Sequence, residues 1–307
     1  MHHRPVLLEE VTELLLQGGP GSYFDGTLGA GGHSAHLLES LPEAQVIGVD
    51  RDPSALDLAR VRLSPFADRV NFVPGNFADQ LSKARELAPE GLRGVLLDLG
   101  LSSMQIDQAD RGFAYMQDGP LDMRMDPTLP ESAADLISRL DEDGLRHLLK
   151  EFGEVRRAGR VSSAILAARE RGDLTSMSGL REAVRKAVGE RDSISELARA
   201  SQALRIAVNR ELEALDQALA ALPDALGHGG VAVFLSYHSL EDRRVKQFFA
   251  RESRDCLCPP ELPVCNCGHQ RSFEMMFTGA RRPSDAESKS NPRARSARLR
   301  AARRISA

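Results

Sequence analysis

The chain has 307 residues, 42% of them hydrophobic, and a formal net charge of −4. That is enough apolar material for a large core and more length than one average domain, so one large domain with an insertion is expected. No apolar run approaches the roughly 20 residues of a membrane span, and the start lacks the apolar stretch of a secretory signal; this predicts a cytoplasmic protein with no membrane contact, whose four cysteines are thiols or metal ligands rather than disulfides.

In chain order, an apolar run at 22–24 ends in Asp25 and gives way to a loop containing Gly26, Gly29, Gly31 and Gly32, residues that let a backbone turn sharply and approach a ligand closely. A helical pattern over 33–40 follows, then a second apolar run at 46–49 ending in Asp50. Further strand-like runs at 70–73 and 94–98 alternate with helical patterns at 53–63 and 79–87, the last run ending in Asp98. Such alternation predicts a parallel sheet with covering helices.

The rhythm stops after Asp98. From about 107 to 200 the chain reads as loop and then helices, at 131–140, 142–152, 161–171 and 179–188, with no strand among them. A long helical stretch over 194–226 precedes a strand pattern from Gly229, and 273–277 reads as a late edge strand. The expected organisation is a sheet domain of residues 1–106 and 201–307, whose fourth and fifth strands are separated by an all-helical insertion, 107–200, on the substrate side.

The glycine loop alone is a weak signal, since nicotinamide enzymes use a related one. A nicotinamide fingerprint begins Gly-x-Gly directly after the strand, whereas here Asp25 closes the strand and Thr27 and Leu28 separate the first two loop glycines. Acids at the ends of strands one, two and four favour S-adenosylmethionine, whose sulfonium and ammonium are cationic and whose ribose presents a diol. In an open parallel sheet ligands sit at the carboxyl edge, so Asp98 should face cofactor or acceptor. An amine on an aromatic base is a poor nucleophile, and a protein activates it by accepting hydrogen bonds from it and aligning it for in-line displacement. Asp98 and the hydroxyls of Ser102 and Ser103 are suitable acceptors.

At this point the residues resemble a known family. His3-Arg-Pro-Val-Leu-Leu-x-Glu, Asp25-Gly-Thr-Leu-Gly-Ala-Gly-Gly-His-Ser, Asp98-Leu-Gly-Leu-Ser-Ser, Arg111-Gly-Phe, Asp118-Gly-Pro-Leu-Asp-Met-Arg-Met-Asp126, Gln202-Ala-Leu-Arg-Ile-Ala-Val-Asn, Ser236-Tyr-His-Ser-Leu-Glu-Asp-Arg and Asn291-Pro-Arg-Ala-Arg-Ser are similar to motifs of the bacterial 16S rRNA cytosine-N4 methyltransferases, the RsmH or MraW family. The resemblance runs the length of the chain. It implies a doubly wound, Rossmann-like α/β methyltransferase domain with the helical insertion, S-adenosylmethionine as cofactor, and 16S rRNA in the small ribosomal subunit as partner, methylated on N4 of a cytosine in the decoding region. Carried over by motif, it implies cofactor contacts from Gly31, Gly32, His33, Asp50, Phe77, Asp98 and Gln105. The residue reading adds Asp25 at the methionine part and sets Asp98 with Ser102 at the acceptor amine. Met104 stands where the family commonly has proline, and Arg210 where it often has an acid. The motifs assign no oligomeric state.

The other motifs read less sharply. Ser239 with Asp242 fits a helix capping box after strand five. Gln202, Arg205 and Asn209 share a helical face and suit either an internal polar network or contact with RNA. Arg124, between Met123 and Met125, suggests an ordered loop over the site, and Phe113 and Tyr115 suit stacking on a base or plain packing. From Arg281 onward nine basic residues face two acidic ones, a pattern that fits either a phosphate-bearing partner or a solvated tail. Cys256-x-Cys258 and Cys265-x-Cys267 suit zinc as a set of four, but their spacing is tighter than the usual structural zinc pair and the implied chemistry needs no metal, so none is assigned. Three rivals stay in view: a methyltransferase for another acceptor, a ribosome-assembly RNA-binding protein with a vestigial methyl pocket, and a nicotinamide oxidoreductase.

Overall fold

Apolar runs that each end in an acid become neighbouring strands in the computed structural model, which describes residues 5–259, 262 and 264–305, the side chain of Ser103 excepted. His3 and Arg4 of the first motif and the hydroxyl of Ser103 therefore lie outside the described residues. The chain divides into two compact units, residues 1–100 with 213–307, and residues 101–212. The expected limits of the insertion, 107 and 200, both fall inside the second unit. At the far end the reason is plain: one uninterrupted helix, Glu190–Asn209, runs through position 200.

The first unit begins with α1 (Leu8–Leu16), followed by β1 (Gly21–Asp25), α2 (Gly32–Ser40), β2 (Ala44–Asp50), α3 (Pro53–Arg62), β3 (Val70–Pro74), α4 (Phe77–Ser82), α5 (Ala84–Leu87) and β4 (Leu92–Asp98). The second unit holds α6 (Ser103–Asp107), α7 (Ala133–Arg139), α8 (Glu142–Gly153), α9 (Ala158–Glu170), α10 (Met177–Val188) and α11 (Glu190–Asn209). The chain then forms α12 (Glu211–Ala225), β5 (Leu226–Ser236), α13 (Ser239–Glu252), β6 (Phe273–Met275), α14 (Asp285–Ser290) and β7 (Arg298–Arg304). No described helix is long and apolar enough to cross a membrane.

The seven strands form one sheet in the order β3-β2-β1-β4-β5-β7-β6. The first five are parallel, and β7 lies antiparallel to both β5 and β6. The direction of strand addition reverses between β1 and β4, and a doubly wound sheet opens its ligand crevice at such a reversal. One apolar layer, with Phe24, Phe77, Leu97, Phe234 and Phe249, covers one sheet face; the other includes Val11, Leu15, Tyr23, Leu37, Leu63 and Leu299. Gly48 in β2 leaves room for Leu28, whose side chain would lie 2.8 Å from any added Cβ.

Of the two readings of the basic segment, the solvated tail does not hold for residues 298–304. Arg298-Leu-Arg-Ala-Ala-Arg-Arg is β7, an interior strand whose Leu299, Ala301 and Ala302 are buried. Its charges are absorbed locally. Arg300 donates to both carboxylate oxygens of Asp242 at 2.7 and 3.2 Å, and Arg298 donates to the same carboxylate at 2.7 Å. Arg303 donates to Gln17, and Arg304 to the carbonyls of Pro223 and Ser272.

The second unit is all helix and loop. Amphipathic α8 and α10 start on the caps Asp141 and Ser176, whose side chains accept from Gly144 and Gly179. Its core joins Leu145, Leu149, Val161, Ile165, Leu180, Val184 and Leu204. The long helical stretch expected over 194–226 is broken by Arg210, which takes a left-handed conformation at φ 51° and ends α11.

Candidate active site at the carboxyl edge of the sheet

Three carboxylates mark the ends of β1, β2 and β4, as their sequence positions suggested: Asp25, Asp50 and Asp98. Their environments differ. Asp25 is buried under the glycine loop, where it accepts from the Ser34 hydroxyl at 2.6 Å and from the Thr27 amide at 3.3 Å. Burial pushes its carboxyl up to about 6, against the lowering effect of the Ser34 hydrogen bond and the nearby His33. A small cavity beside it, about 10 Å³ and lined by Asp25, His33, Ser34 and Leu37 among others, has room for about one water.

Asp50 ties the second strand to the loop. One carboxylate oxygen accepts from Gly29 N at 2.8 Å and the other from Asp52 N at 2.9 Å. Burial raises its carboxyl above the usual range while these two bonds work in the opposite direction. A carboxylate has about four lone-pair positions, so two further acceptor sites remain for a diol. Gly29 and Gly31 have φ of 53° and 75°, which side-chain-bearing residues rarely adopt, and Gly31 serves as the N-cap of α2. Gly32 and His33 then form the first turn of α2, whose amides have no intrahelical partner.

The Asp98 side chain is a quarter exposed. Its amide donates to Thr27 Oγ1 at 2.6 Å, joining β4 to the glycine loop, and the Tyr237 hydroxyl donates to its Oδ1 at 2.7 Å. The other oxygen lies 3.6 Å from His33 Nε2, beyond a normal hydrogen bond. Burial, and then the charge of Asp98, drive the Tyr237 phenol well above its ordinary range, so it remains a donor. Among the described residues, both ring nitrogens of His33 are buried with no hydrogen-bond partner, an arrangement that suits a polar ligand. Phe77 opens α4 and is nearly buried, and an added Cβ at Gly26 would come within 2.8 Å of its Cβ. The residue at 26 must therefore be glycine for Leu97, Phe24 and Phe77 to approach the backbone this closely.

Tyr237 and Thr27 were not singled out in the sequence, although both lie inside quoted motifs. The signal lay in topology: β5 pairs with β4 so that Asp98 is opposite Leu235, which sets Tyr237 just beyond the end of the neighbouring strand.

Ser102 and Gln105 belong to the helical unit. There they form the capping box of α6: Gln105 N donates to Ser102 Oγ at 3.2 Å and Ser102 N donates to Gln105 Oε1 at 3.1 Å. The capping box expected at Ser239 and Asp242 is one residue out of register. His238 is the N-cap of α13 and Glu241 its partner, the Glu241 carboxylate accepting from Tyr237 N at 2.9 Å and His238 N at 3.3 Å. Asp242 is thereby free to hold the arginines of β7.

Several residues considered for RNA contact are occupied internally. Asn209 is buried and accepts from Met125 N at 2.7 Å while donating to Met123 O and Arg205 O. Arg205 pairs with both oxygens of Glu211, and Gln202 donates to Phe152 O. Met123 and Met125 are core residues rather than parts of an open loop, Arg124 between them pairing with Asp122. Phe113 packs in the same core.

The MraW methylase family model matches residues 1–305. The chain belongs to that family. Among its relatives, the ribosomal RNA small subunit methyltransferase H of Heliobacterium mobile is 44% identical over 309 residues, covering 99% of each chain. The protein of the same name from Geobacter sulfurreducens is 44% identical over 307 residues, again with 99% of each chain. That from Beutenbergia cavernae is 47% identical over 309 residues, 99% of this chain and 92% of its own. With membership in the MraW family, the Rossmann-like sheet is a methyltransferase sheet and the cofactor is S-adenosylmethionine. The His33 ring, without a hydrogen-bond partner among the described residues, and the open acceptor positions of Asp50 and Asp98 fit that group.

Proposed function

We propose that the chain transfers the methyl group of S-adenosylmethionine to the exocyclic N4 of a cytosine in the decoding region of 16S rRNA, within the small ribosomal subunit in the cytoplasm. The observation that carries this reading is the row of Asp25, Asp50 and Asp98 at the strand ends around the topological switch point, in a chain of the MraW family.

The cofactor supplies an electrophilic methyl group on a sulfonium. In this reading Asp50 accepts from the ribose hydroxyls, and the first-turn amides of Gly32 and His33 hold the methionine carboxylate, while Gly31, whose own amide donates to Leu28 O, shapes the turn that lines the cofactor. Phe77 packs on the adenine. Asp25, whose oxygens are engaged within the loop, acts at the methionine part by fixing the loop's shape. Asp98 accepts a hydrogen bond from the cytosine amine, drawing its lone pair toward the methyl, and Tyr237 holds the carboxylate in one orientation. Strong general base catalysis is not required, because the amine proton becomes acidic only as the new bond forms. For Gln105 the assignment rests on the family motif alone, and for Ser102 on the sequence reading that sets its hydroxyl beside the acceptor amine. A paired and stacked cytosine cannot be approached in line, so base extrusion accompanies binding.

The test is incubation with methyl-labelled S-adenosylmethionine and unmodified small subunits, followed by nuclease digestion and mass spectrometry. Label in N4-methylcytidine is expected. Label in another product overturns the acceptor assignment, and absence of label with intact subunits favours the RNA-binding rival. Calorimetry on Asp50→Ala checks the ribose contact: cofactor affinity should fall about 10- to 100-fold, the loss of a charged hydrogen bond, and unchanged affinity refutes the role.

A further inference from the structure

All four cysteines of the chain lie in the segment between α13 and β6. They are unbonded, and three of the four are exposed, which is unusual for a residue type that prefers burial. Yet their sulfurs converge: all four lie within 4.8 Å of one another. Cys256 Sγ is 3.3 Å from Cys265 Sγ and 3.8 Å from Cys267 Sγ, Cys265 is 3.5 Å from Cys267, and Cys258 is 4.0 Å from Cys265. A tetrahedral ion with metal–sulfur bonds of about 2.3 Å sets its four sulfurs about 3.8 Å apart. We propose that Cys256, Cys258, Cys265 and Cys267 bind one zinc ion as a closed four-thiolate site.

The arrangement answers the objection raised by the Cys-x-Cys spacing. Cys258 N donates to Cys256 Sγ at 3.3 Å, turning the backbone so that both sulfurs of the first pair face one point. Leu257 N donates to Cys267 Sγ at 3.4 Å and ties the two pairs together. Backbone donors aimed at sulfur favour thiolate over thiol and orient the ligand, as outer-shell groups do in metal sites. His269 is not a ligand in this set, its Nε2 lying 3.2 Å from the Arg251 carbonyl.

Disulfides explain the geometry less well. Cys265 approaches three other sulfurs within 4.0 Å, whereas disulfide pairing would draw each cysteine to a single partner at about 2.05 Å. A cluster of several irons would hold the sulfurs further apart. Among single ions, four thiolates in a tetrahedron select zinc or iron, and zinc needs no redox partner. Four protein ligands leave no open position, so the ion is structural and takes no part in methyl transfer. Each ligating thiol gives up its proton to solvent on binding, so metal uptake strengthens with pH. The loop's base is already fixed, Ser272 bonding Glu252 through both its amide and its hydroxyl. The ion thus orders a tip in which Leu257 is only partly covered and Val264 stays exposed.

The untagged full-length protein, purified without chelator and under reducing conditions, is analysed for metals by mass spectrometry. About one zinc per chain is expected, released on titration with a mercurial. Cobalt added to the chelator-stripped protein should give the intense visible bands of tetrahedral four-thiolate coordination. Cys258→Ser and Cys267→Ser should each lower zinc content about tenfold or more. The unmodified protein keeps the test decisive should either variant fail to fold. Zinc absent even after reconstitution, iron in its place, a native mass lowered by two disulfides, or full zinc content in both variants would each overturn the proposal.

Discussion

Asp25, beneath the glycine loop, and Asp242, beside β7, are buried to the same degree, 5% and 4% exposed, yet their carboxyl groups are driven in opposite directions. Burial raises both. At Asp25 the partners are a hydroxyl and an amide, too weak to offset it, and the group is pushed up to about 6. At Asp242 the hydrogen bonds and charges of Arg300 and Arg298 outweigh burial and hold the group below its ordinary range. The difference separates two uses of a buried acid. A carboxylate saturated by two guanidinium groups fastens one strand into a sheet, while one held by neutral donors keeps a loop in shape at a cost in stability when it ionises.

Breaking the staple should have the largest effect. Asp242→Ala leaves Arg300 buried without its carboxylate, and chemical denaturation should show a loss of about 3–5 kcal/mol; a loss below about 1 kcal/mol would mean that β7 is held by its apolar residues alone. Next comes the pH dependence of the two acids. Asp25 has a folded pKa above its ordinary 3.8, so its contribution is fully present below about pH 4 and is lost as pH rises through about 6. Asp25→Asn removes that loss, so the stability of wild type relative to variant should fall by about 2 kcal/mol between pH 4 and 7. A constant difference would refute the titration. Asp242 has the opposite sign: its stabilisation is present above the ordinary value of 3.8 and is lost as pH falls through the lower folded value.

Smaller effects sharpen the contrast. Tyr237→Phe removes the hydroxyl donor to Asp98 and should reduce kcat about tenfold, or about 1.4 kcal/mol, while shifting the unfolding free energy by less than about 1 kcal/mol. A variant that loses stability but keeps its turnover would make Tyr237 part of the scaffold only. Gln202→Ala should cost about 1 kcal/mol of stability through the lost bond to Phe152 and leave rRNA affinity unchanged in a filter-binding assay.

The parallel strands were legible because each apolar run ends in an acid or turn residue and alternates with a helical period. The strand that went unread, β7, was hidden by its own charges. Arg300 lies on a buried face with Asp242, so the pattern that sequence reading treats as solvent-facing is here internal. The same pairing displaced the capping box by one residue, since Asp242 looked available to the helix start and is spent on the sheet. At the site, the positions of Asp25, Asp50 and Asp98 followed from where their strands stop. The Tyr237 contact did not, because it depends on which strands are neighbours, and β4 and β5 are separated in the chain by the whole helical unit. Gln202 and Asn209 were ambiguous for a related reason: a shared helical face names the residues that act together but not whether they turn toward protein or solvent.

The antiparallel edge also dictates an order of assembly. β6 precedes β7 in the chain but joins the sheet only through it, and β7 in turn rests on β5, pairing Val231 with Arg303 and Ser236 with Arg298. The ribosome therefore makes β6 before its seat exists. The strand waits until β7 has found β5 across a loop-closure distance of some sixty residues, a search that carries an entropic penalty and slows this edge relative to the local helical contacts elsewhere. A chain cut before Arg298 would lose two strands rather than one, and would expose β5 as a long, flat, apolar edge open to pairing with another molecule.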